Sequence, residues 1–335
     1  MAQTGAVPVV DVSQLDDPRS LADAIKSTLN STGFLFLTGH GLEAQAERMF
    51  EISERFFREE TDEEKQRCAY KDNKGYTRVS QEVLDPSKPA PDLKEGFNAS
   101  YIAPGEGAHP PVPSQPLPNL LQDHADELAA FQHGCFSICQ RLLQAFAVAL
   151  DLPVDFFTSQ HHEGPDSRSI LRFLHYPAIP AGAAVDPNRA GAHTDYGSLT
   201  CLFQRQTGGE GLQILPSSEP LEGGKWRDVG MVEGAMLMNI GDAIEPVWSG
   251  ANFKSTLHRV VLPTPLPADG VPERFSIAWF NQPSPTASLK TCVPVSSISP
   301  EDRERMARKG VEPGKEVTAD EHLQARLAST YKLVK

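Results

Sequence analysis

The chain has 335 residues, of which 39% are hydrophobic and 22% charged, an ordinary balance for a globular protein. Its formal net charge of -13 argues against a protein that binds nucleic acid or membrane surfaces, because such binding requires a basic face. No apolar run approaches the roughly 20 residues of a membrane span, and the N-terminus lacks the pattern of a secretory signal. The five cysteines are odd in number and show no Cys-x-x-Cys spacing, which fits a reducing compartment. We therefore expect a cytoplasmic protein.

The first third of the chain alternates short strands and amphipathic helices. Val7–Val12 and Gly33–Thr38 are apolar runs that predict strands, whereas Leu21–Leu29 and Glu43–Arg58 carry apolar residues at helical spacing. The segment Asp85–Pro118 is rich in Pro and Gly, and we expect it to be irregular and to wrap the surface.

A long helix and a series of short strands follow. Asn119–Leu150 has an apolar residue at every third or fourth position, which predicts one continuous helix. After Pro165 the chain has short apolar runs without crossover helices, which favour an antiparallel sandwich or barrel. These runs are Ile170–His175, Leu199–Phe203, Leu212–Leu215, Ala235–Ile240 and Arg274–Phe280. Glu321–Tyr331 is predicted to close the chain as a helix. The pattern predicts an α+β protein with a mainly β core in one domain.

A metal site is predicted at His193 and Asp195, just before the strand Leu199–Phe203. In extended backbone, residues i and i+2 point to the same side, so both side chains could reach one ion. His258, where apolar alternation resumes, would be the third ligand. Two histidines and one carboxylate leave adjacent positions open, which suits iron(II) with a bidentate co-substrate and dioxygen, whereas zinc sites are more often closed. The alternative is that these are ordinary strand histidines.

Two other pairs have the same spacing without the strand context. His124 and Asp126 lie in the predicted long helix, where side chains two apart diverge, and we expect a solvated face. His161 and Glu163 precede Gly164-Pro165, which predicts a loop.

A carboxylate-binding site is predicted on the strand Arg274–Phe280. Arg274, Ser276 and Phe280 share one face of this strand. An inward-facing Arg274 could bind a carboxylate with two hydrogen bonds, and the Ser276 hydroxyl could add a third. The alternative is a surface arginine on an edge strand, paired with an acid such as Glu273.

Together these segments resemble a known family. In order, the matching segments are Gly33–Gly41, His193–Asp195, Gly211–Ile214, Asn239–Asp242, Ser255–Arg259 and Arg274–Ser276. Over nearly its whole length the chain resembles the isopenicillin N synthase-like branch of the iron(II)- and 2-oxoglutarate-dependent oxygenases. Leu171–Pro177 and Gln324–Tyr331 are similar to segments of the fungal thymine 7-hydroxylase-like oxygenases, and other fungal oxygenases of secondary metabolism look alike.

The resemblance implies a double-stranded β-helix, or jelly roll, with an N-terminal α/β extension and a long buttressing helix. A single catalytic domain, 1–335, would comprise the extension and wrapping segment (1–118), the long helix (119–150), the jelly-roll core (165–285) and a C-terminal tail and helix (286–335). It also implies that His193, Asp195 and His258 bind iron(II), that Arg274 and Ser276 bind the distal carboxylate of 2-oxoglutarate, and that Tyr176 helps to hold this co-substrate.

The implied activity is that of a dioxygenase which oxidises, by hydroxylation, an unactivated C–H bond of a small molecule. Dioxygen and 2-oxoglutarate would be consumed, and succinate and carbon dioxide released. Two alternatives stay open: a non-haem iron oxidase of the same fold that uses no 2-oxoglutarate, and a catalytically silent metal-binding sensor or scaffold.

The substrate wall is predicted from three residues near these groups. Arg172 lies four before Tyr176 in a strand, Tyr196 follows Asp195, and Phe280 continues the face of Arg274 and Ser276. Two aromatic rings and a guanidinium suit a small planar molecule that stacks and accepts hydrogen bonds. Alternatively, Phe280 is plain core and Arg172 pairs with a buried acid.

Overall fold

The computed structural model describes residues 7–85, 91–205 and 211–330. Within these ranges the helices are α1 (Pro18–Leu29), α2 (Glu43–Glu59), α3 (Asp62–Arg67), α4 (Asn119–Asp123), α5 (Ala125–Ala149), α6 (Pro300–Arg308) and α7 (Ala319–Thr330). The strands are β1 (Val9–Asp11), β2 (Phe34–Thr38), β3 (Gly75–Thr77), β4 (Glu95–Ala99), β5 (Ile102–Ala103), β6 (Val112–Pro113), β7 (Ile170–Tyr176), β8 (Asn188–His193), β9 (Leu199–Gln204), β10 (Leu212–Leu215), β11 (Arg227–Asp228), β12 (Met236–Ile240), β13 (Leu257–Val261), β14 (Arg274–Asn281), β15 (Ser288–Leu289) and β16 (Val317–Thr318). A π-helix, Ala243–Trp248, follows β12.

Two sheets form the centre of the molecule. The larger has the order β1-β2-β12-β9-β14-β7-β4-β3, and the smaller has the order β11-β10-β13-β8. All their neighbours are antiparallel except β1 and β2. This arrangement confirms the predicted mainly β core and is that of a jelly roll.

Apolar side chains pack on both faces of the larger sheet. One cluster, which includes Phe131, Leu142 and Ile277, joins the sheet to the helices, so the long helix buttresses it as predicted. A second cluster lies between the two sheets and includes Phe34 and Ile214. Polar groups on the inner faces must therefore lie in a cavity between the sheets or find buried partners.

Two predictions about the first half of the chain are wrong. The segment expected to be irregular contains β4, which lies inside the larger sheet between β3 and β7. All five of its residues, Glu95–Ala99, are buried, so no polar-apolar alternation marks it in the sequence. The long helix is not continuous either: His124, with φ -111° and ψ 17°, separates α4 from α5. Neither Pro nor Gly stands at this break, so periodicity alone could not reveal it.

None of the described helices is long and apolar enough to cross a membrane.

Candidate active site

Three predicted ligands converge at the edge of the smaller sheet, where β8 pairs with β13. His193 ends β8 and lies directly opposite His258 on β13. Asp195 Oδ1 lies 3.9 Å from His193 Nε2 and 3.8 Å from His258 Nε2. One ligand atom from each residue can be chosen so that all lie within 4.8 Å of one another. Among the described residues no other group of three such side chains does this.

The Nδ1 atoms of the two histidines, which are the ring nitrogens farther from Asp195, form hydrogen bonds with backbone carbonyls. His193 Nδ1 lies 2.7 Å from the Gly191 carbonyl oxygen, and His258 Nδ1 lies 3.1 Å from that of Thr256. Each Nδ1 must donate, because a carbonyl oxygen can only accept. The lone pair of each Nε2 is therefore directed toward Asp195, which is the tautomer that a metal ligand requires.

Asp195 is oriented by two neighbours that the sequence analysis did not single out. Its Oδ2 accepts hydrogen bonds from Thr200 Oγ1 at 2.6 Å and from Asn239 Nδ2 at 2.7 Å. Thus Oδ2 is occupied and Oδ1 faces the two histidines. Asn239 belongs to the family-like segment Asn239–Asp242, so the signal was present without an assigned role.

Burial and the neighbouring charges shift the pKa values of His193 and Asp195. Burial, together with the facing His258, lowers the pKa of His193 to about 3. Burial alone would raise the pKa of Asp195, but the facing histidines and the two hydrogen bonds hold it below its ordinary value. At neutral pH His193 is thus a neutral imidazole and Asp195 a carboxylate, as metal binding requires. This donor set fits iron(II).

Gly241 allows the segment that carries Asn239 to approach the metal ligands closely. A Cβ atom at Gly241 would lie 2.1 Å from the Gly197 carbonyl oxygen, so a side chain cannot fit. The next residue, Asp242, donates its backbone N–H to the Asp195 carbonyl oxygen at 2.7 Å. The close packing of these two backbones fixes Asn239 beside Asp195.

Arg274 is buried on the inner face of β14, at 1% exposure. Its Nη2 donates to Gln204 Oε1 at 2.9 Å, and its Nη1 lies 3.5 Å from Ser276 Oγ. The alternative of a surface pair with Glu273 is wrong, because Glu273 pairs with Arg58 and His175 instead. Among the described residues, Arg274 forms no ion pair with a carboxylate. A buried guanidinium with only neutral partners is suited to an acidic ligand.

A cavity of about 140 Å³ joins these groups. It is lined by every residue that the sequence analysis assigned to the site: Arg172, Tyr176, His193, Asp195, Tyr196, His258, Arg274, Ser276 and Phe280. The pairing of β7 with β14 places Tyr176 opposite Arg274, and Arg172 opposite Ala278. The alternation along both strands therefore directs the predicted residues to one side of the sheet.

Two family patterns match the chain. Residues 165–283 match the 2OG-Fe(II) oxygenase superfamily, and residues 7–123 match the family described as non-haem dioxygenase in morphine synthesis N-terminal. A 2-oxoglutarate-Fe(II) type oxidoreductase of Aspergillus fumigatus is 31% identical over 82% of this chain and 81% of its own.

The chain belongs to the 2OG-Fe(II) oxygenase superfamily.

A second relative and a solved structure extend the match. A UPF0676 protein of Schizosaccharomyces pombe is 33% identical over 97% of this chain and 92% of its own. The full-length Neurospora crassa thymine 7-hydroxylase, solved with alpha-KG and thymine, is 27% identical, with a TM-score of 0.74 over 98% of both chains. As a member of the superfamily, the present chain is an oxidoreductase. Its cofactors are those of the superfamily: iron(II), with 2-oxoglutarate and dioxygen as co-substrates.

The three residues predicted to form the substrate wall all line the cavity, and the alternative for Arg172, a pair with a buried acid, is also fulfilled. Arg172 lines the cavity and at the same time pairs with the buried Glu82, Nη2 to Oε2 at 2.6 Å. Tyr196 is half-buried, and the guanidinium carbon of Arg326 lies 4.8 Å from its ring centre. Phe280 is half-buried and lines the cavity, so it is not plain core. Arg172 thus reaches the cavity as one member of a buried ion pair.

Other lining residues were not assigned to the site from the sequence pattern. Lys94 directly precedes β4 and Asn98 belongs to it, a strand that the sequence pattern did not predict. Leu323 and Leu327 come from α7. Lys94 is 3% exposed, and its Nζ lies 2.9 Å from Glu82 Oε2. The oxygenase therefore closes its cavity with segments far apart in sequence, which spacing arguments cannot bring together.

Asn239→Ala is expected to weaken metal binding without unfolding the oxygenase. Asp195 would lose one of the two hydrogen bonds that orient it, and losses of this kind reduce metal affinity by roughly 10–100-fold. Anaerobic titration with Mn(II) or Fe(II) measures the effect directly. The exposed Asn119→Ala, at the start of α4, is the control and should bind metal like the unaltered protein. Unchanged affinity in Asn239→Ala would show that this hydrogen bond does not orient the ligand.

Proposed function

We propose that this protein hydroxylates an unactivated C–H bond of a small molecule, with iron(II) held by His193, Asp195 and His258. Arg274 and Ser276 bind the distal carboxylate of 2-oxoglutarate, with Tyr176 beside them. The observation that carries the proposal is that Arg274, buried and with only neutral partners among the described residues, shares one cavity with three converging metal ligands.

The chain's own residues bind the co-substrate, orient the reacting molecules and exclude water. When bound, iron(II) with 2-oxoglutarate and dioxygen supplies the oxidising chemistry and yields succinate and carbon dioxide. Arg274 neutralises the distal carboxylate and fixes the co-substrate at one end of the cavity. Apolar residues such as Leu84, Leu202 and Leu323 line the same space and exclude water, which strengthens the charged interactions within it. The protein thereby selects which C–H bond is oxidised.

The substrate is a small planar ring oxidised at a methyl or similar carbon. Tyr196 and Phe280 offer aromatic surface for stacking, and the guanidinium of Arg172, which also lines the cavity, offers hydrogen-bond donors. A ring that carries C=O groups can accept hydrogen bonds from this guanidinium. Support also comes from the related Neurospora enzyme, whose solved structure contains thymine.

The class of reaction is tested by succinate formation from 2-oxoglutarate with iron(II) in air, using a substrate library. The proposed oxygenase forms succinate only when iron(II) and 2-oxoglutarate are both present. An oxidase of the same fold would consume dioxygen without forming succinate. A silent sensor would bind metal and consume neither dioxygen nor 2-oxoglutarate.

The planar substrate is tested by titrating the anaerobic complex with iron(II) and 2-oxoglutarate. Thymine and phenolic methyl-arenes are the probes, and binding of at least one is expected to perturb the metal spectrum because the ring lies beside Tyr196. Failure of every flat candidate, with binding of a long flexible molecule instead, would overturn this part of the proposal.

We also propose a cytosolic location. The five cysteines, all within the described residues, are free thiols, and four of them are buried. This usage suits a reducing compartment.

A further inference from the structure

A second arginine, Arg189, lies buried near the co-substrate anchor. It belongs to β8, whose pairing with β13 shifts register on both sides of Ala190. Such bulges re-aim side chains and are frequent beside active sites. Arg189 is fully buried, at 0% exposure, although arginine is rarely buried without a partner.

Arg189 has few partners for its five N–H groups. Its Nη2 donates to the Pro177 carbonyl oxygen at 2.5 Å, whereas Nε and Nη1 have no hydrogen-bond partner within the described part of the chain. No ion pair joins it to a carboxylate in that part either. Burial lowers the pKa of Arg189 to about 10, so the group is still charged at neutral pH. A buried unpaired charge is strongly destabilising, so a compensating anion is expected.

Arg189 and Arg274 converge on the same phenol ring. The guanidinium carbon of Arg189 lies 5.2 Å from the ring centre of Tyr176, and that of Arg274 lies 4.9 Å from it. Both side chains are cations without a carboxylate partner among the described residues. Arg189 does not line the cavity, so it can act only through Tyr176 and through its electric field.

We propose that Arg189 is a positioning residue for 2-oxoglutarate, stabilising the distal carboxylate together with Tyr176 and Arg274. The inference rests on the proposed function, because it needs 2-oxoglutarate to lie against Arg274. 2-Oxoglutarate carries two negative charges, and only one of its carboxylates belongs to the 2-oxo acid end. The other carboxylate supplies the negative charge that compensates the two buried guanidinium groups. A purely structural Arg189 would only join β8 to Pro177, whatever ligand is bound.

The test compares two ligands that differ only at the distal end. 2-Oxopentanoate has a methyl group where 2-oxoglutarate has its distal carboxylate. Calorimetry on the Mn(II)-loaded protein gives a dissociation constant for each acid in wild type and in Arg189→Gln, which retains a donor for Pro177 but no charge. Arg55→Gln removes an exposed arginine paired with Glu59 and is the matched control.

Arg189→Gln is expected to weaken 2-oxoglutarate binding on the order of tenfold, because it removes a buried charge that favours the distal carboxylate, and to leave 2-oxopentanoate within about twofold. Unchanged affinity for 2-oxoglutarate, or equal losses for both acids, would overturn the role of Arg189. Should Arg189→Gln fail to fold, Arg189→Lys takes its place. This variant keeps the charge but loses the planar group that contacts the Tyr176 ring, so a selective loss for 2-oxoglutarate of roughly threefold or more is expected, whereas wild-type affinity for both acids would overturn the inference. A wild-type protein that binds the two acids equally would instead refute the anchor at Arg274.

Discussion

Replacing His193 or Asp195 with alanine is expected to reduce turnover to background while the fold survives. Each change removes one of three ligands from a site that has no fourth protein ligand among the described residues, so iron(II) is no longer held in an open, reactive geometry. The alanine side chains leave the surrounding strands and both clusters of apolar side chains intact. Succinate formation measures turnover, and thermal unfolding shows that the variants are folded.

The control for this prediction is His124→Ala. His124 also precedes an aspartate by two residues, but its ring contacts Glu127 and Arg55 at the surface. Such exposed contacts contribute about 1 kcal/mol or less, so activity and stability should stay near those of the unaltered protein. Wild-type-like turnover in His193→Ala or Asp195→Ala would refute the metal site.

Arg274→Lys is expected to raise the Michaelis constant for 2-oxoglutarate by roughly 10–100-fold, the loss associated with a charged hydrogen-bonding group. Lysine keeps the charge, but it lacks the planar fork that binds a carboxylate with two parallel hydrogen bonds. It also cannot reproduce the contacts of Arg274 with Gln204 and Ser276 at once. Initial rates of succinate formation at varied 2-oxoglutarate give the constant.

Arg58→Lys is the matched control for Arg274. Arg58 pairs with Glu273, the residue next to Arg274, but it is half-exposed and does not line the cavity. Its replacement should leave the Michaelis constant within about twofold, because a surface ion pair contributes little. An unchanged constant in Arg274→Lys would point to an oxidase that does not use 2-oxoglutarate, or to another anchor.

The metal and co-substrate residues could be predicted because strand geometry relates them to the sequence. Side chains alternate along a strand with a period of two, so His193 and Asp195, or Arg274 and Ser276, identify a shared face without knowledge of the fold. The structure brings these pairs together on the inner faces of the two sheets. The position of His258 opposite His193 depends on strand pairing, which only the resemblance could supply.

Other parts of the site depend on contacts that no local pattern encodes. Glu82 and Arg172 are 90 positions apart, so their ion pair follows from the tertiary fold. The strand β4 is buried on both faces and contains Gly96 and Asn98, and it therefore lacks the alternation that marks a half-buried strand. Arg189 was missed because it lies at a bulge, where the simple period of two fails.

Dioxygen labelled with oxygen-18 tests the central claim most directly. Wild-type protein with iron(II), 2-oxoglutarate and an accepted substrate is expected to place one labelled oxygen atom in succinate and the other in the hydroxylated product, as mass spectrometry would measure. This result would establish that 2-oxoglutarate oxidation and substrate oxidation share one dioxygen molecule. Oxidised product formed without succinate, or succinate that carries no label, would contradict the assignment of this protein as a 2-oxoglutarate-dependent dioxygenase.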